Sequence, residues 1–194
     1  MKGLGRAVTL VILTILTLPG CGYNTLQRRD EKVKQAWANT LTAYQKRNDL
    51  VPNLAATVKG YASHEEKVFT DVAEARASVG KAAPPENATP EQLQQFVERQ
   101  GQLSSALSRL LVVVENYPQL KADKGFLDLQ KQLVKIENQI AANRNRYTRE
   151  VRDYNTVVRS FPTNLTAKIF GISVKPQLEV EDEKAIRKAP TVKF

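Results

Sequence analysis

The chain has 194 residues, of which 25% are charged and 42% are apolar, and its formal net charge is +9. This length fits one domain that buries about two-thirds of the surface of its unfolded chain. A single cysteine excludes an intramolecular disulfide. The basic residues are interleaved with acidic ones, which indicates a solvated surface rather than a patch for nucleic acid, so we expect no nucleic-acid partner.

The N-terminus has the pattern of an export signal. Lys2 and Arg6 precede an uncharged run, residues 7–18, that is rich in Leu, Ile, Val and Thr. At about 1.5 Å per residue, a helix of this length reaches about 18 Å, whereas a bilayer core is about 30 Å thick. The run therefore fits the apolar part of a signal peptide. We expect residues 1–20 to be a signal peptide, and a short uncleaved membrane anchor is the alternative.

The apolar run ends in Leu18-Pro19-Gly20-Cys21, which resembles the bacterial lipobox. In that motif a Leu lies three residues before an invariant Cys, although Pro19 departs from the usual residue. The resemblance implies that the sulfur of Cys21 carries a lipid, and several acyl chains hold a protein durably on a membrane. We expect a lipid-anchored protein on the exported side. In a Gram-negative host this is the periplasmic side, with the outer membrane favoured over the inner because Gly22 is not Asp.

Four amphipathic segments follow, with apolar residues at alternating steps of three and four. They cover residues 24–48, 52–79, 89–117 and 123–161. Pro52 and Pro118 are expected to interrupt the helices because proline lacks an N–H. Thr89-Pro90-Glu91-Gln92 predicts a capped helix start, and Asp123 is a second N-cap candidate. Phe161 ends the apolar stripe of the last segment.

Long amphipathic helices with short connections predict an all-α fold, an elongated antiparallel four-helix bundle over residues 21–170. Residues 171–194 are expected to be an irregular, partly disordered extension. Within it Val174, Leu178 and Val180 alternate with polar residues, which predicts a short strand or an extended strip. Four polar residues stand on the apolar stripes, where they either fix helix register or reach water at the stripe edge. These are Asp30, Glu65, Gln100 and Asn143.

Several stretches resemble the LemA family and together cover most of the chain. They include residues 22–27, 47–54, 57–65, 115–121 and 151–155. The resemblance implies an all-helical, membrane-associated bacterial envelope protein whose molecular function is largely unassigned. Some relatives belong to the magnetosome machinery, and many begin with a membrane segment rather than a lipobox. The chain departs from the family pattern at Cys21 and at Leu178, where relatives often have an aromatic residue.

The polar residues that match the family pattern are candidates either for interhelical pairs or for a partner-binding face. They are Arg47, Asp49, Glu65, Arg76, Glu115, Asn116, Glu137, Asn138, Asp153 and Asn155. A second candidate surface is a basic face on the last helical segment, composed of Arg144, Arg146, Arg149 and Arg152.

No pattern for catalysis is present. A di-iron bundle needs a Glu-x-x-His pair on each of two helices, but His64 is the single histidine. The sequence contains no nucleophile elbow and no Gly-rich phosphate loop. We therefore expect a non-enzymatic protein without metal or cofactor, namely a tethered interaction or scaffold module for another envelope protein. The alternative is a binder of lipid headgroups or cell-wall polymer through the basic face. The oligomeric state stays open.

Overall fold

The computed structural model describes the backbone of residues 2–80, 84 and 88–178, and the side chains of these residues from 22 onward. Within these ranges the chain is all-α, which confirms the predicted fold class, and it contains no strand. The helices are α1 (Lys2–Lys59), α2 (Glu66–Gly80), α3 (Pro90–Val114), α4 (Pro118–Lys121), α5 (Lys124–Arg159) and α6 (Thr163–Ile169).

The chain divides into two compact units. The terminal unit comprises Met1–Ala38 and Asn145–Gln177, and the middle unit comprises Asn39–Arg144 and Leu178–Phe194. Parts of α1 and α5 belong to each unit, whereas α2, α3 and α4 lie in the middle unit and α6 in the terminal unit.

One hydrophobic core fills the middle unit, and each of its long helical segments contributes to it. Leu54 and Val58 of α1, Leu103 and Leu110 of α3, and Phe126 of α5 are at most 1% exposed. Val72 and Val79 of α2 and Leu120 of α4 belong to the same core. Burying a side chain of this size contributes roughly 1.5–3 kcal/mol. Four long segments around one core are compatible with the predicted four-helix bundle.

The predicted helix starts at Thr89 and Asp123 are confirmed. Thr89 Oγ1 accepts from the backbone N–H of Gln92 at 3.3 Å, and Gln92 Oε1 accepts from the Thr89 N–H at 2.9 Å. This reciprocal pair is the capping box, and Pro90 fills the first helical position. Asp123 Oδ1 accepts from the Phe126 N–H at 2.7 Å, at the start of α5.

The predicted break at Pro52 is wrong, because α1 continues through it to Lys59. Proline removes the hydrogen bond that the carbonyl of Asn48, four residues earlier, would otherwise accept. The Arg76 Nε on α2 donates to that carbonyl at 3.3 Å. The second helix therefore begins at Glu66 rather than at Pro52, and residues 60–65 form the connection.

Residues 172–178 form neither helix nor strand, so of the two predicted alternatives the structure agrees with the strip and not with the short strand. The strip is held by α5 within the terminal unit. Tyr154 Oη donates to the Ser173 carbonyl at 3.1 Å. Asn155 binds the backbone of Lys175 twice: its amide donates to the carbonyl at 2.8 Å, and its oxygen accepts from the N–H at 2.8 Å. Val180 and the rest of the predicted tail, 179–194, lie outside the described residues.

The backbone of residues 2–20, which belong to the predicted signal peptide, forms the first part of α1. The side chain of Cys21 lies outside the described residues. In the part of the chain that is described, no helix combines the length and apolar character that crossing a membrane requires.

Candidate functional site

The most elaborate polar cluster of the middle unit surrounds Arg47, whose side chain is 1% exposed on α1. Its Nη1 donates to Ser104 Oγ at 2.6 Å and to Glu137 Oε1 at 3.0 Å. Its Nη2 donates to the Gln100 carbonyl at 3.1 Å and also to the Gln100 side-chain oxygen. One guanidinium thus connects α1, α3 and α5. We call these four residues the Arg47 cluster.

The charges of the Arg47 cluster are unequally solvated. Arg47 is buried, whereas the Glu137 side chain is 38% exposed. The guanidinium carbon also lies 5.3 Å from the centre of the Tyr44 ring. Burial raises the pKa of Tyr44, although the positive charges of Arg144 and Arg47 oppose that rise. The contacts of the Arg47 guanidinium are hydrogen bonds and one ion pair to neighbouring helices, so its role here is to attach α1 to α3 and α5.

A groove of about 380 Å³ opens beside the Arg47 cluster. Its apolar floor includes Tyr44 and Phe96, whose rings meet edge to face with centroids 5.2 Å apart. Gln45 and Lys46 are exposed residues of its rim. We call this the α1/α3 groove. Val79 and Gly80, at the end of α2, also line it.

Asn48 gives the α1/α3 groove its distinctive polar feature. Its side-chain oxygen is buried and has no hydrogen-bond partner among the described residues. A buried acceptor without a donor costs about 1–3 kcal/mol, so such groups are uncommon in native proteins. Gln100, the residue that binds Arg47, lines the same groove. The groove therefore combines apolar surface with a residue, Asn48, whose side-chain oxygen is buried and lacks a donor.

Other polar candidates of the middle unit do not gather at the Arg47 cluster. Asp49 is exposed and accepts from Gln45 Nε2 at 2.7 Å. Glu115 is exposed and pairs with Lys121 at 2.5 Å near the end of α3. Arg76 binds the carbonyl of Asn48, as described above. Asn116 and Asn138 are exposed, Glu65 is half-buried, and the half-buried Asn143 donates to the Asn39 carbonyl at 3.1 Å.

Two candidates lie in the terminal unit and attach α5 to other segments. Asp153 pairs with Arg29 of α1 at 3.4 Å, and Asn155 holds the backbone of Lys175. Lys175 in turn lies 2.8 Å from Asp30, a residue of the α1 stripe. Burial alone would raise the pKa of Asp30, but hydrogen bonds and attraction from Lys175 and Lys34 hold it below its ordinary value.

The predicted basic face is divided between the units. Arg146, Arg149 and Arg152 are exposed in the terminal unit, whereas Arg144 is half-buried and belongs to the middle unit. Arg152 Nε lies 3.8 Å from Asp153 Oδ1. Arg146 and Arg149 make no ion pair with any residue that the structure describes.

Sequence reasoning missed Ser104 and Lys175. Ser104 lies four residues after Gln100, hence on the same helix face, and this spacing was a usable signal. No sequence signal marks Lys175, because its partners lie on α1 and α5. Among the residues described, no group of three His, Cys, Asp or Glu side chains could hold a metal ion, and His64 is exposed.

Comparison with known proteins places the chain in a family. The model of the LemA family matches residues 36–194. The chain is similar to the magnetosome proteins MamQ 1 and MamQ 2 of Paramagnetospirillum magneticum, at 24% identity over 193 residues, 87% of this chain and 71% of each relative. It is also similar to protein LemA of Metamycoplasma hominis, at 22% identity over 166 residues, 81% of this chain and 70% of that one. These names designate no catalytic activity. Since the family model matches most of the chain, the protein belongs to the LemA family.

Proposed function

We propose that this LemA-family protein is a membrane-tethered, non-enzymatic module that holds a segment of another envelope protein in the α1/α3 groove. The observation that carries the proposal is the buried oxygen of Asn48, which lacks a donor at the wall of an otherwise largely apolar groove. A bound segment that supplies an N–H would remove this penalty once the half-buried Asn48 side chain turns its oxygen toward the groove.

The chemistry of the groove favours a polypeptide occupant. The buried rings of Tyr44 and Phe96 lie under the groove, and the half-buried Leu41 offers apolar surface to a side chain of the partner. The half-buried Asn48 offers an amide group that suits a backbone N–H or C=O. Binding sites typically combine such apolar surface with a few well-placed polar groups.

The Arg47 cluster supports the proposal because it fixes one wall of the groove. Gln100 lines the groove and is held from behind by the guanidinium of Arg47. A wall that is already ordered loses little conformational entropy when a partner binds. The polar cluster thus serves to present a preformed surface, and no reaction is needed to account for it.

Site-specific photocrosslinking tests the groove. A photoreactive amino acid at Lys46, on the rim, should give a discrete adduct with one envelope protein. The matched control is the same amino acid at Lys131, an exposed residue of α5 outside the groove. Asn48→Leu should abolish the adduct formed from position 46. Identical adducts from positions 46 and 131, or an adduct that survives Asn48→Leu, would contradict the proposal.

The tether is proposed from the N-terminal sequence pattern. Mass spectrometry of the mature protein should find Cys21 as the first residue, with the added mass of its acyl chains. A mature protein that retains Lys2 and Arg6 would instead indicate an uncleaved N-terminal anchor and refute the lipid tether.

A second candidate function is favoured by the exposed Arg146 and Arg149, which have no ion-pair partner among the described residues. With Arg152 they offer positive charge on α5 to an anionic envelope ligand, such as lipid headgroups or a cell-wall polymer. Binding of this kind weakens as ionic strength rises. Exchanging all three arginines for glutamine should abolish salt-sensitive binding, and unchanged binding would exclude this surface.

A further inference from the structure

Helix α6 has an unusual distribution of side chains. Its buried residues are small or polar, Thr166 at 5% and Ala167 at 3% exposure. Its exposed residues include Leu165 at 54% and Ile169 at 72%. A helix at a protein surface in water normally has the opposite arrangement, with its large apolar side chains facing the core.

The exposed apolar surface extends beyond both ends of α6. Phe161, which precedes the helix, is 79% exposed. Phe170 and Val174, which follow the helix, are also exposed. We call these five residues the apolar ridge: Phe161, Leu165, Ile169, Phe170 and Val174. Single exposed apolar side chains are ordinary, but a cluster of large ones in one short segment marks an interaction surface.

The charge of this segment has one sign. Between Asp153 and Glu179 the sequence contains no acidic residue, whereas it contains Arg159, Lys168 and Lys175. Lys175 is paired with Asp30, but Arg159 and Lys168 are exposed beside the apolar ridge. Exposed apolar side chains flanked by basic ones are the pattern of a segment that lies in the interface of an anionic bilayer.

The apolar ridge belongs to a segment that contacts the residues directly after Cys21. A Cβ atom added to Gly22 would lie 3.0 Å from Thr166 Oγ1, so α6 packs closely on the backbone there. The next residue, Tyr23, has its ring centre 4.8 Å from that of Phe170. Any tether at or before Cys21 therefore brings α6 to the membrane.

We propose that the apolar ridge lies in the headgroup region of the bilayer to which the chain is tethered. Phe161 and Phe170 would bury their rings at the boundary between headgroups and acyl chains, as Phe does in interfacial helices, and Lys168 would contact anionic headgroups. The inference rests on the proposed tether but not on the α1/α3 groove. Protein occupants, namely residues 179–194, a second copy or another partner, are separate outcomes of the test below.

Depth-dependent fluorescence quenching tests the proposal on the full-length lipidated protein in vesicles of phosphatidylcholine and phosphatidylglycerol. An environment-sensitive dye is attached to Leu165→Cys, and the proposed acylation of Cys21 leaves that sulfur without a reactive thiol. The matched control is Thr156→Cys, an exposed position of α5 in the same unit. Brominated lipid should quench the dye several-fold more strongly at position 165 than at 156. Lys168→Gln should lower the ratio of ridge-inserted to ridge-free protein about fivefold, and only when phosphatidylglycerol is present.

Each other outcome overturns the proposal in a distinguishable way. A blue-shifted dye at position 165 that brominated lipid does not quench would show that protein covers the apolar ridge. An unshifted dye on protein that floats with the vesicles would show that the ridge faces water although the tether holds. Protein that fails to float would refute the tether and the ridge together, while leaving the crosslinking result from the α1/α3 groove unaffected.

Discussion

Replacing Arg47 with methionine should lower the free energy of unfolding by about 3–5 kcal/mol, the range for removing one partner of a buried ion pair. Methionine fills part of the volume but donates no hydrogen bond. The Gln100 side-chain oxygen then loses its donor in a buried site, which costs about 1–3 kcal/mol. The Gln100 carbonyl, in the interior of α3, keeps its intrahelical N–H partner and loses only the additional bond from Arg47. Ser104 adds little to this loss of stability, because it is half-buried and its hydroxyl can rotate to another hydrogen-bond partner.

The reciprocal change, Glu137→Gln, should cost only about 0.5–1 kcal/mol. The Glu137 side chain is 38% exposed, so solvent screens its attraction to Arg47. In addition, the glutamine oxygen still accepts a hydrogen bond from the guanidinium. The two ends of one ion pair should therefore differ several-fold in their effect on stability.

Urea unfolding followed by far-UV circular dichroism measures both changes, provided that the slope against urea concentration is unchanged. Lys131→Met, at an exposed site on α5, is the control for introducing methionine and should leave the midpoint unmoved. A loss below 1 kcal/mol for Arg47→Met would refute the reasoning. So would equal losses for Arg47→Met and Glu137→Gln, because burial of the cation would then not decide the energetics.

Three further predictions concern other contacts. The folded-state pKa of Asp30 is lowered, so the Asp30–Lys175 pair should stabilise the terminal unit fully at pH values above the unfolded pKa of the carboxyl. This stabilisation should be lost as the pH falls through the folded pKa. In a plot of the urea midpoint against pH, Asp30→Asn should therefore reduce the decline on the acid side. Burial raises the pKa of Tyr147 to about 12, against about 10 when unfolded, so stability should fall by about 2–3 kcal/mol between pH 10 and 12. Tyr147→Phe should make that decline smaller by the contribution of Tyr147, leaving the part due to other buried tyrosines such as Tyr44. An undiminished decline in Tyr147→Phe would contradict the assignment. Arg76→Ala should lower the free energy of unfolding by about 0.5–1 kcal/mol in the parent protein. The loss should be smaller in the Pro52→Ala background, because alanine supplies the N–H that proline lacks. Equal losses in the two backgrounds would show that Arg76 and Pro52 are not coupled.

Features set by neighbouring residues were predictable from the sequence. The start of α3 depends on Thr89 and Gln92, three residues apart, and the start of α5 depends on Asp123 and a backbone N–H three residues later. Such contacts form whenever the local chain turns into a helix, so their sequence pattern is sufficient. The apolar periodicity likewise sufficed for the all-α class.

The Arg47 cluster required tertiary contacts that no local pattern contains. The partners of Arg47 lie 53, 57 and 90 residues further along the chain. The sequence marked Gln100 as a polar residue on an apolar stripe and Glu137 as a family-pattern residue, but it gave no reason to join them. Only the packing of α1, α3 and α5 makes them neighbours.

Periodicity also misjudged one end of the apolar stripe. Phe161 continues the spacing of the last predicted segment, which favoured a core position, but it is 79% exposed. Spacing identifies residues that share a helix face, but it cannot tell whether that face meets protein, water or lipid. Here α5 ends at Arg159, and the chain turns before α6 begins at Thr163, so the continuing spacing no longer describes one helix.

Pro52 shows how a correct local rule can fail in a folded chain. The rule states that an interior proline removes one hydrogen bond and breaks or kinks a helix, at a cost of about 3 kcal/mol. In this chain Arg76 replaces the lost donor at the Asn48 carbonyl. Val51 and Leu54, on either side of the proline, are buried in the core and favour the continuous helix. Asn48 thus has its carbonyl satisfied by α2 while its side-chain oxygen remains without a donor beside the groove. The carbonyl that Arg76 satisfies and the side chain that the proposed partner would bind therefore belong to the same residue, Asn48.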